Sequence, residues 1–300
     1  MNTETLAAGI DSRQVHLQAQ DFTIHYLEAG ADKPSDEIIL LVHGWPTSSY
    51  LYRHLMLPLA RHKRVIAIDL PGFGQSDKKP DARYSFRYHS EIIQALLDQL
   101  QVKTVHLVVH DLGGPIALWW ASQHAETVAS YVLLDTVVYA QFSWAVKLFV
   151  LMTLMPGVRR WLSGPQGIKF SMSLGLYNRA RLTDAVLAHY QAPFKTDGDR
   201  LALLRTAHRL HLSGFKAVGQ HMESVDKPVC MIYAQNDRIL PEIAETFARL
   251  KGALPDAELH RIDRCGHFLP EDDPQALLLP MLAFYDQLFG QPQTHLSSNQ

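Results

Sequence analysis

Two kinds of hydrophobic pattern alternate along most of the chain, and their order predicts the architecture. Residues 15–18 and 22–28 alternate apolar and polar positions around Gln20-Asp21, as two strands with one wet face would. Residues 38–42, 64–70, 105–109, 128–134 and 228–233 are instead nearly continuous apolar runs. Strands buried on both faces of a parallel sheet read this way. Between these runs, residues 50–60, 85–100 and 116–122 carry helical spacing, clearest in Ile92, Ile93, Leu96, Leu97 and Leu100. Thr47-Ser48-Ser49 offers a cap for the first of these helices. A helix over 241–250, a short strand over 258–262 and a closing helix over 274–288 complete the series. Residues 1–12 and the polar tail from Gln291 are expected to be loose. The predicted class is α/β: a mostly parallel central sheet with helices on both faces.

The rhythm stops at Asp135. From residue 136 to 225 there is only helical patterning, broken at Met155-Pro156-Gly157 and Gly164-Pro165. This predicts a helical cap (136–225) inserted into a core formed by residues 1–135 and 226–300. The greasiest stretch, 149–155 with Ala145-Val146 before it, is interrupted by Lys147 and Thr153. It is shorter than the ~18–20 residues of a membrane span. Composition adds limits. Three hundred residues, 47% of them hydrophobic, support a sizeable core, and a net charge of −2 gives no reason to expect nucleic acid or an anionic membrane. Cys230 and Cys265 are expected to be buried reduced thiols. Residues 1–10 lack the basic and apolar regions of a signal peptide. The chain reads as soluble and cytoplasmic, with no transmembrane segment.

Polar residues collect where catalytic loops of an open α/β sheet lie, at the carboxyl ends of strands. His43-Gly44-Trp45-Pro46 follows the run at 38–42, and Asn236-Asp237 follows the run at 228–233. Gly266-His267 follows the strand at 258–262. Between the first and second of these, the run at 105–109 halts at His110-Asp111-Leu112-Gly113-Gly114, a strand, tight turn and helix with a carboxylate at the apex. An aspartate is ionised at neutral pH, so it needs no base to activate it. It can displace a leaving group from saturated carbon and form an ester with the enzyme. His267 would then activate water against that ester, and Asp237 would orient the imidazole. Asp135 is a rival for the orienting carboxylate. Backbone N–H groups of Trp45 and Leu112 would bind the oxyanion formed on Asp111. His43 and His110 border this site and are assigned structural hydrogen bonds.

These motifs resemble the haloalkane dehalogenase and epoxide hydrolase branch of the α/β-hydrolases. The likeness rests on residues 43–53, on Gly72-Phe73-Gly74-Gln75-Ser76-Asp77-Lys78, on the aspartate elbow 108–114 and on the histidine loop 266–272. Leu182-Thr183 and Tyr190-Gln191-Ala192-Pro193-Phe194 look like a dehalogenase cap segment. The resemblance implies the α/β-hydrolase fold, the triad Asp111, Asp237 and His267, and no cofactor or metal. Dehalogenases of this kind usually carry a tryptophan directly after the nucleophile to hold the halide; here that residue is Leu112. Many also have asparagine where this chain has Trp45. Epoxide hydrolases instead use cap tyrosines as acids, for which Tyr139, Tyr177 and Tyr190 are candidates. Trp45, Trp144 and Trp161 are further candidates to contact substrate. The expected partners are a small apolar substrate and water. Epoxides rank first as substrates, haloalkanes second and esters or lactones third. A catalytically silent binding protein on the same scaffold comes last, because the triad is intact.

Overall fold

The computed structural model describes residues 6–34 and 36–290. Eight strands form one sheet: β1 (Ile10–Leu17), β2 (Phe22–Ala29), β3 (Glu37–Val42), β4 (Arg64–Ile68), β5 (Thr104–Asp111), β6 (Val128–Thr136), β7 (Val229–Ala234) and β8 (Glu258–Ile262). Their spatial order is β1-β2-β4-β3-β5-β6-β7-β8. Only β1–β2 and β2–β4 are antiparallel; every later pair is parallel. The continuous apolar runs are the central strands: β4 is buried throughout, as are Ile38 to Val42 of β3. Apolar side chains on both pleat faces leave such strands stable only under two layers of helix.

Those layers come from α1 (Arg53–Leu59), α2 (Phe86–Gln99) and α3 (Gly113–Gln123), and later α10 (Ile243–Ala253), α11 (Leu269–Asp272) and α12 (Pro274–Phe289). Ser85 caps α2 by accepting from the Tyr88 N–H at 3.2 Å, which fixes where that helix starts. Between β6 and β7 the described residues form helices only. They are α4 (Trp144–Leu154), α5 (Pro156–Leu162), α6 (Pro165–Gly175), α7 (Asp184–Gln191), α8 (Asp197–Arg209) and α9 (Leu212–Glu223). Prolines at the first turns of α5 and α6 make the breaks seen in the sequence. α9 packs along α3, so it belongs to the helical layer of the sheet.

Two expectations change. Residues 10–12 are not loose: β1 starts at Ile10 and pairs with β2 over its whole length, from Ile10 opposite Ala29 to Leu17 opposite Phe22. As an edge strand exposed at Asp11 to Gln14, it needs no apolar alternation there. The helix expected at 50–60 opens with a 3-10 turn, Ser49–Tyr52, before α1 proper, and the Ser48 side chain caps neither. The first residues of the chain and the tail from Gln291 lie outside the described residues. Cys230 and Cys265 are free and buried, and no described helix is long and apolar enough to cross a membrane.

Candidate active site

β5 ends at Asp111 with φ of +50°, a left-handed backbone that costs an ordinary residue about 1–3 kcal/mol. The turn is held by Thr136, at the end of β6, whose hydroxyl donates to the Asp111 carbonyl at 2.6 Å. Two glycines let the pieces meet. A Cβ on Gly114 would stand 1.6 Å from Thr136 Oγ1, and one on Gly44 would stand 2.2 Å from Asp111 Oδ1. The loop after β3 thus passes close enough for the Trp45 N–H to donate to Asp111 Oδ1 at 2.7 Å. The Leu112 N–H also bonds this carboxylate.

His267 enters from the loop after β8. Its Nε2 lies 3.2 Å from Asp111 Oδ2, without the alignment of a hydrogen bond. Its Nδ1 lies 2.7 Å from Asp237 Oδ2. Asp237 Oδ1 is taken up by the N–H groups of Ile239 at 2.7 Å and Leu240 at 2.8 Å, so the carboxylate cannot rotate without breaking bonds. Burial alone would push the imidazole pKa down, but Asp237 and Asp111 hold it well above its ordinary value. The same pairing offsets burial at Asp111, whose carboxyl sits below the usual range. The resting state is a buried carboxylate beside an imidazolium.

Asp135 is buried at the end of β6, and its carboxylate accepts from the Ala234 N–H at 3.0 Å. Burial, then the charge of Asp237, push its pKa well above the carboxylate range. Asp237, not Asp135, contacts His267 Nδ1. His110 and His43 make the structural bonds expected of them. His110 Nε2 donates to the His267 carbonyl at 2.8 Å and, with burial lowering its pKa to about 4, stays neutral. His43 accepts from the Leu70 N–H through Nε2 at 3.1 Å and bonds the Gly44 carbonyl through Nδ1 at 2.9 Å.

A cavity of about 1030 Å3 opens above Asp111, with mostly apolar walls. Trp45, Leu112 and Asp237 line it from the sheet side, and Phe149, Val150 and Met152 of α4 line it from above. Of the predicted substrate contacts, Trp45 and Trp144 reach it. The three tyrosines do not. Tyr139 lines a separate cavity of about 340 Å3, beneath the Arg249 guanidinium at 3.7 Å. Tyr177 is exposed at the surface, and Tyr190 is buried with its hydroxyl donating to Glu271 at 2.9 Å. Trp161 is exposed outside the cavity. The Trp45 indole N–H is buried and has no partner, an uncommon state for a donor. Phe149 packs edge-on to it at 4.6 Å.

Sequence reasoning missed the residues that tie the histidine loop to its surroundings. Asp272 accepts from Gly266 and Tyr177 N–H groups at 2.7 Å each and from Asn178 at 2.8 Å. Glu271 takes two bonds from the Arg53 guanidinium, at 2.8 and 2.7 Å, besides that of Tyr190. Both acids stand in the 266–272 motif, but nothing in a single sequence shows which backbone they meet.

Such an elbow, histidine loop and mostly parallel sheet define a class. A family model described as alpha/beta hydrolase fold matches residues 37–274, and the chain belongs to that family. It is an enzyme of the hydrolase type. "Uncharacterized hydrolase YugF" of Bacillus subtilis is 30% identical over 249 residues, covering 81% of this chain and 88% of the relative. A cis-3-alkyl-4-alkyloxetan-2-one decarboxylase of Shewanella oneidensis is 26% identical over 271 residues, covering 83% and 80%. A haloalkane dehalogenase of Agrobacterium fabrum is 25% identical over 296 residues, 95% of each chain. Among solved structures, haloalkane dehalogenase DatA from Agrobacterium tumefaciens C58 superposes with a TM-score of 0.78 at 23% identity, covering 94% and 98%. Epoxide hydrolase CorEH gives 0.76 at 21%, covering 93% and 99%.

Proposed function

We propose that the protein hydrolyses a small apolar electrophile through an ester on Asp111. One observation carries this reading. Asp111 lines the cavity with Oδ1 held by the Trp45 N–H, while Oδ2 lies beside His267 Nε2. Oδ2 attacks a saturated carbon, the bond from that carbon to the leaving atom breaks, and the leaving atom takes the electron pair. Esterification removes the Asp111 charge, and with it one of the two attractions that keep His267 protonated. His267 then gives its proton to solvent, and the neutral ring takes a proton from a water whose oxygen attacks the Asp111 carboxyl carbon. The N–H groups of Trp45 and Leu112 hold the resulting oxyanion, each worth about 3–4 kcal/mol in such sites. Collapse releases the alcohol and restores Asp111. In this reading α4 to α8 form the cap, and α9 is part of the core.

The leaving atom is the oxygen of a strained ring. Leu112 offers no side-chain donor to a departing halide, and an unsolvated anion is costly in an apolar cavity. Within this class the position of the tyrosines matters. An epoxide leaves as an alkoxide that needs an acid, and Tyr139, Tyr177 and Tyr190 all lie elsewhere. A four-membered lactone opened at its alkyl carbon leaves as a carboxylate, which needs no proton and spreads its charge over two oxygens, and the Shewanella oneidensis relative is named for such a ring. Haloalkanes are the second reading, favoured by the unpartnered Trp45 N–H, which could solvate halide after a small movement.

The test is intact-mass analysis of His267→Gln after exposure to a terminal epoxide, an alkyl β-lactone and a 1-bromoalkane. Ring opening leaves the whole substrate mass on the protein. Displacement of bromide leaves the alkyl group only. The adduct is expected on the peptide carrying Asp111 and absent in Asp111→Ala. Turnover by wild type with no trapped adduct for any substrate would overturn the mechanism.

A further inference from the structure

α4 carries an apolar surface that the hydrolytic site only partly covers. Of its eleven residues only Thr153 is buried, although the helix is apolar almost all round. Such a helix belongs inside a protein or against lipid. Its inner side (Val146, Phe149, Val150, Met152) lines the Asp111 cavity. Its outer side presents Trp144, Leu148, Leu151 and Met155 at helical spacing, and Trp144 is 68% exposed. Leu154 and Phe170 are exposed and also line the cavity, so they stand at its mouth with Trp144 and Leu148. Trp161 of α5 extends the apolar surface beyond it. An exposed contiguous apolar patch of this kind marks an interaction site.

Charge selects the partner. From residue 136 to residue 183 the chain carries Lys147, Arg159, Arg160, Lys169, Arg179 and Arg181 and no acid, although the whole chain is net negative at −2. The average charge concealed this segregation. Arg160 meets Asp197 of α8 at 3.1 Å, which offsets one cation. Arg209 and Arg159 both bear on His208 and help lower its pKa, so the cationic cluster continues onto α8. Exposed tryptophans and leucines among lysines and arginines are the composition of a helix lying in a bilayer interface. There the aromatic rings settle at headgroup depth and the cations meet anionic headgroups.

We propose that the outer face of α4, α5 and the start of α6 docks on an anionic lipid bilayer, with the cavity mouth facing the acyl chains. An apolar substrate dissolved in the bilayer then passes along Trp144 and Leu148 to Asp111 without crossing water.

The test uses the full chain and vesicles, and its readout does not depend on turnover. The protein is floated with vesicles of phosphatidylcholine alone and with about 30% phosphatidylglycerol added, at low and high salt. Flotation is expected with the anionic vesicles, reduced at least about fivefold on neutral ones or at 0.5 M salt. Leu151→Glu with Trp161→Glu, both outside the cavity, should abolish flotation and leave turnover of a water-soluble substrate intact. Arg159→Glu with Lys169→Glu provides a second pair should the first disturb folding, and should weaken binding to anionic vesicles only. Failure to float with anionic vesicles at low salt overturns the proposal. So does sedimentation showing a dimer that Leu151→Glu dissociates, because a second copy would then cover the face.

Discussion

Two carboxyl groups stand near His267 Nδ1, and they make different bonds. Asp237 is bonded to Nδ1 at 2.7 Å, with its other oxygen fixed by two N–H groups. Asp135 makes no bond to His267, and burial and the charge of Asp237 raise its pKa well above the carboxylate range. An amide replaces a neutral acid far better than it replaces a carboxylate. Asp135→Asn is therefore expected to keep activity within about tenfold. Asp237→Asn loses both the tautomer and the charge that stabilises imidazolium, and should lower kcat by about 10⁴. Steady-state kinetics on the two variants decide between them. A 10⁴-fold loss in Asp135→Asn with mild effects in Asp237→Asn would reverse the roles. The sequence showed both residues at strand ends but could not tell their bonds apart, since those bonds come from Ala234, Ile239 and Leu240 amides placed by folding.

At the scale of elements, the short helix α11 fastens three pieces together. Asp272 receives Gly266 from the histidine loop and Tyr177 and Asn178 from the turn after α6. Asp272→Ala would leave three N–H groups without their acceptor, each costing about 1–3 kcal/mol where water cannot reach. It is expected to lower stability by about 3 kcal/mol and to cut turnover by misplacing His267. Urea titration and kcat measured below the unfolding transition would check both. A variant with wild-type stability would show that the loops hold without it. Elements with continuous apolar runs, such as β3 and β4, were legible because burial on both faces leaves no other pattern. β1 at Ile10 was not, because an edge strand owes its place to pairing with β2 and not to its own polarity. Among the site residues, Asp111, Asp237 and His267 were legible as polar breaks at strand ends. The tyrosines were named from the family resemblance, which gives a residue type in the cap but not its direction: Tyr190 of α7 turns toward Glu271, and Tyr139 and Tyr177 lie outside the helices.

For the molecule as a whole, the buried histidines set how stability responds to acid. His89 and His110 are buried and uncharged, with pKa values lowered by burial to about 3 and about 4. The unfolded chain takes up these protons near 6.5, the ordinary value, so below that pH it binds more protons than the fold. Stability from these two is complete above pH 6.5 and declines as pH falls toward 4, by up to about 1.4 kcal/mol per pH unit for each group. His267 works in the opposite sense. Its pKa is raised in the fold, so its contribution is complete below 6.5 and is lost as pH rises through the raised value. Asp69, buried and held below the carboxylate range despite that burial by its bond to His25, loses its contribution only below about pH 4. Between pH 6.5 and 4.5 the His267 contribution no longer changes, so the two losses act without an opposing gain and the thermal midpoint should fall across that window. His89→Gln, which removes one of the two losses, should reduce the slope of the decline even if it lowers the midpoint at neutral pH. Scanning calorimetry of both proteins at half-unit pH steps measures this, and an unchanged midpoint from pH 7 to 4.5 in the wild type would mean that the buried rings share their protons with the unfolded chain.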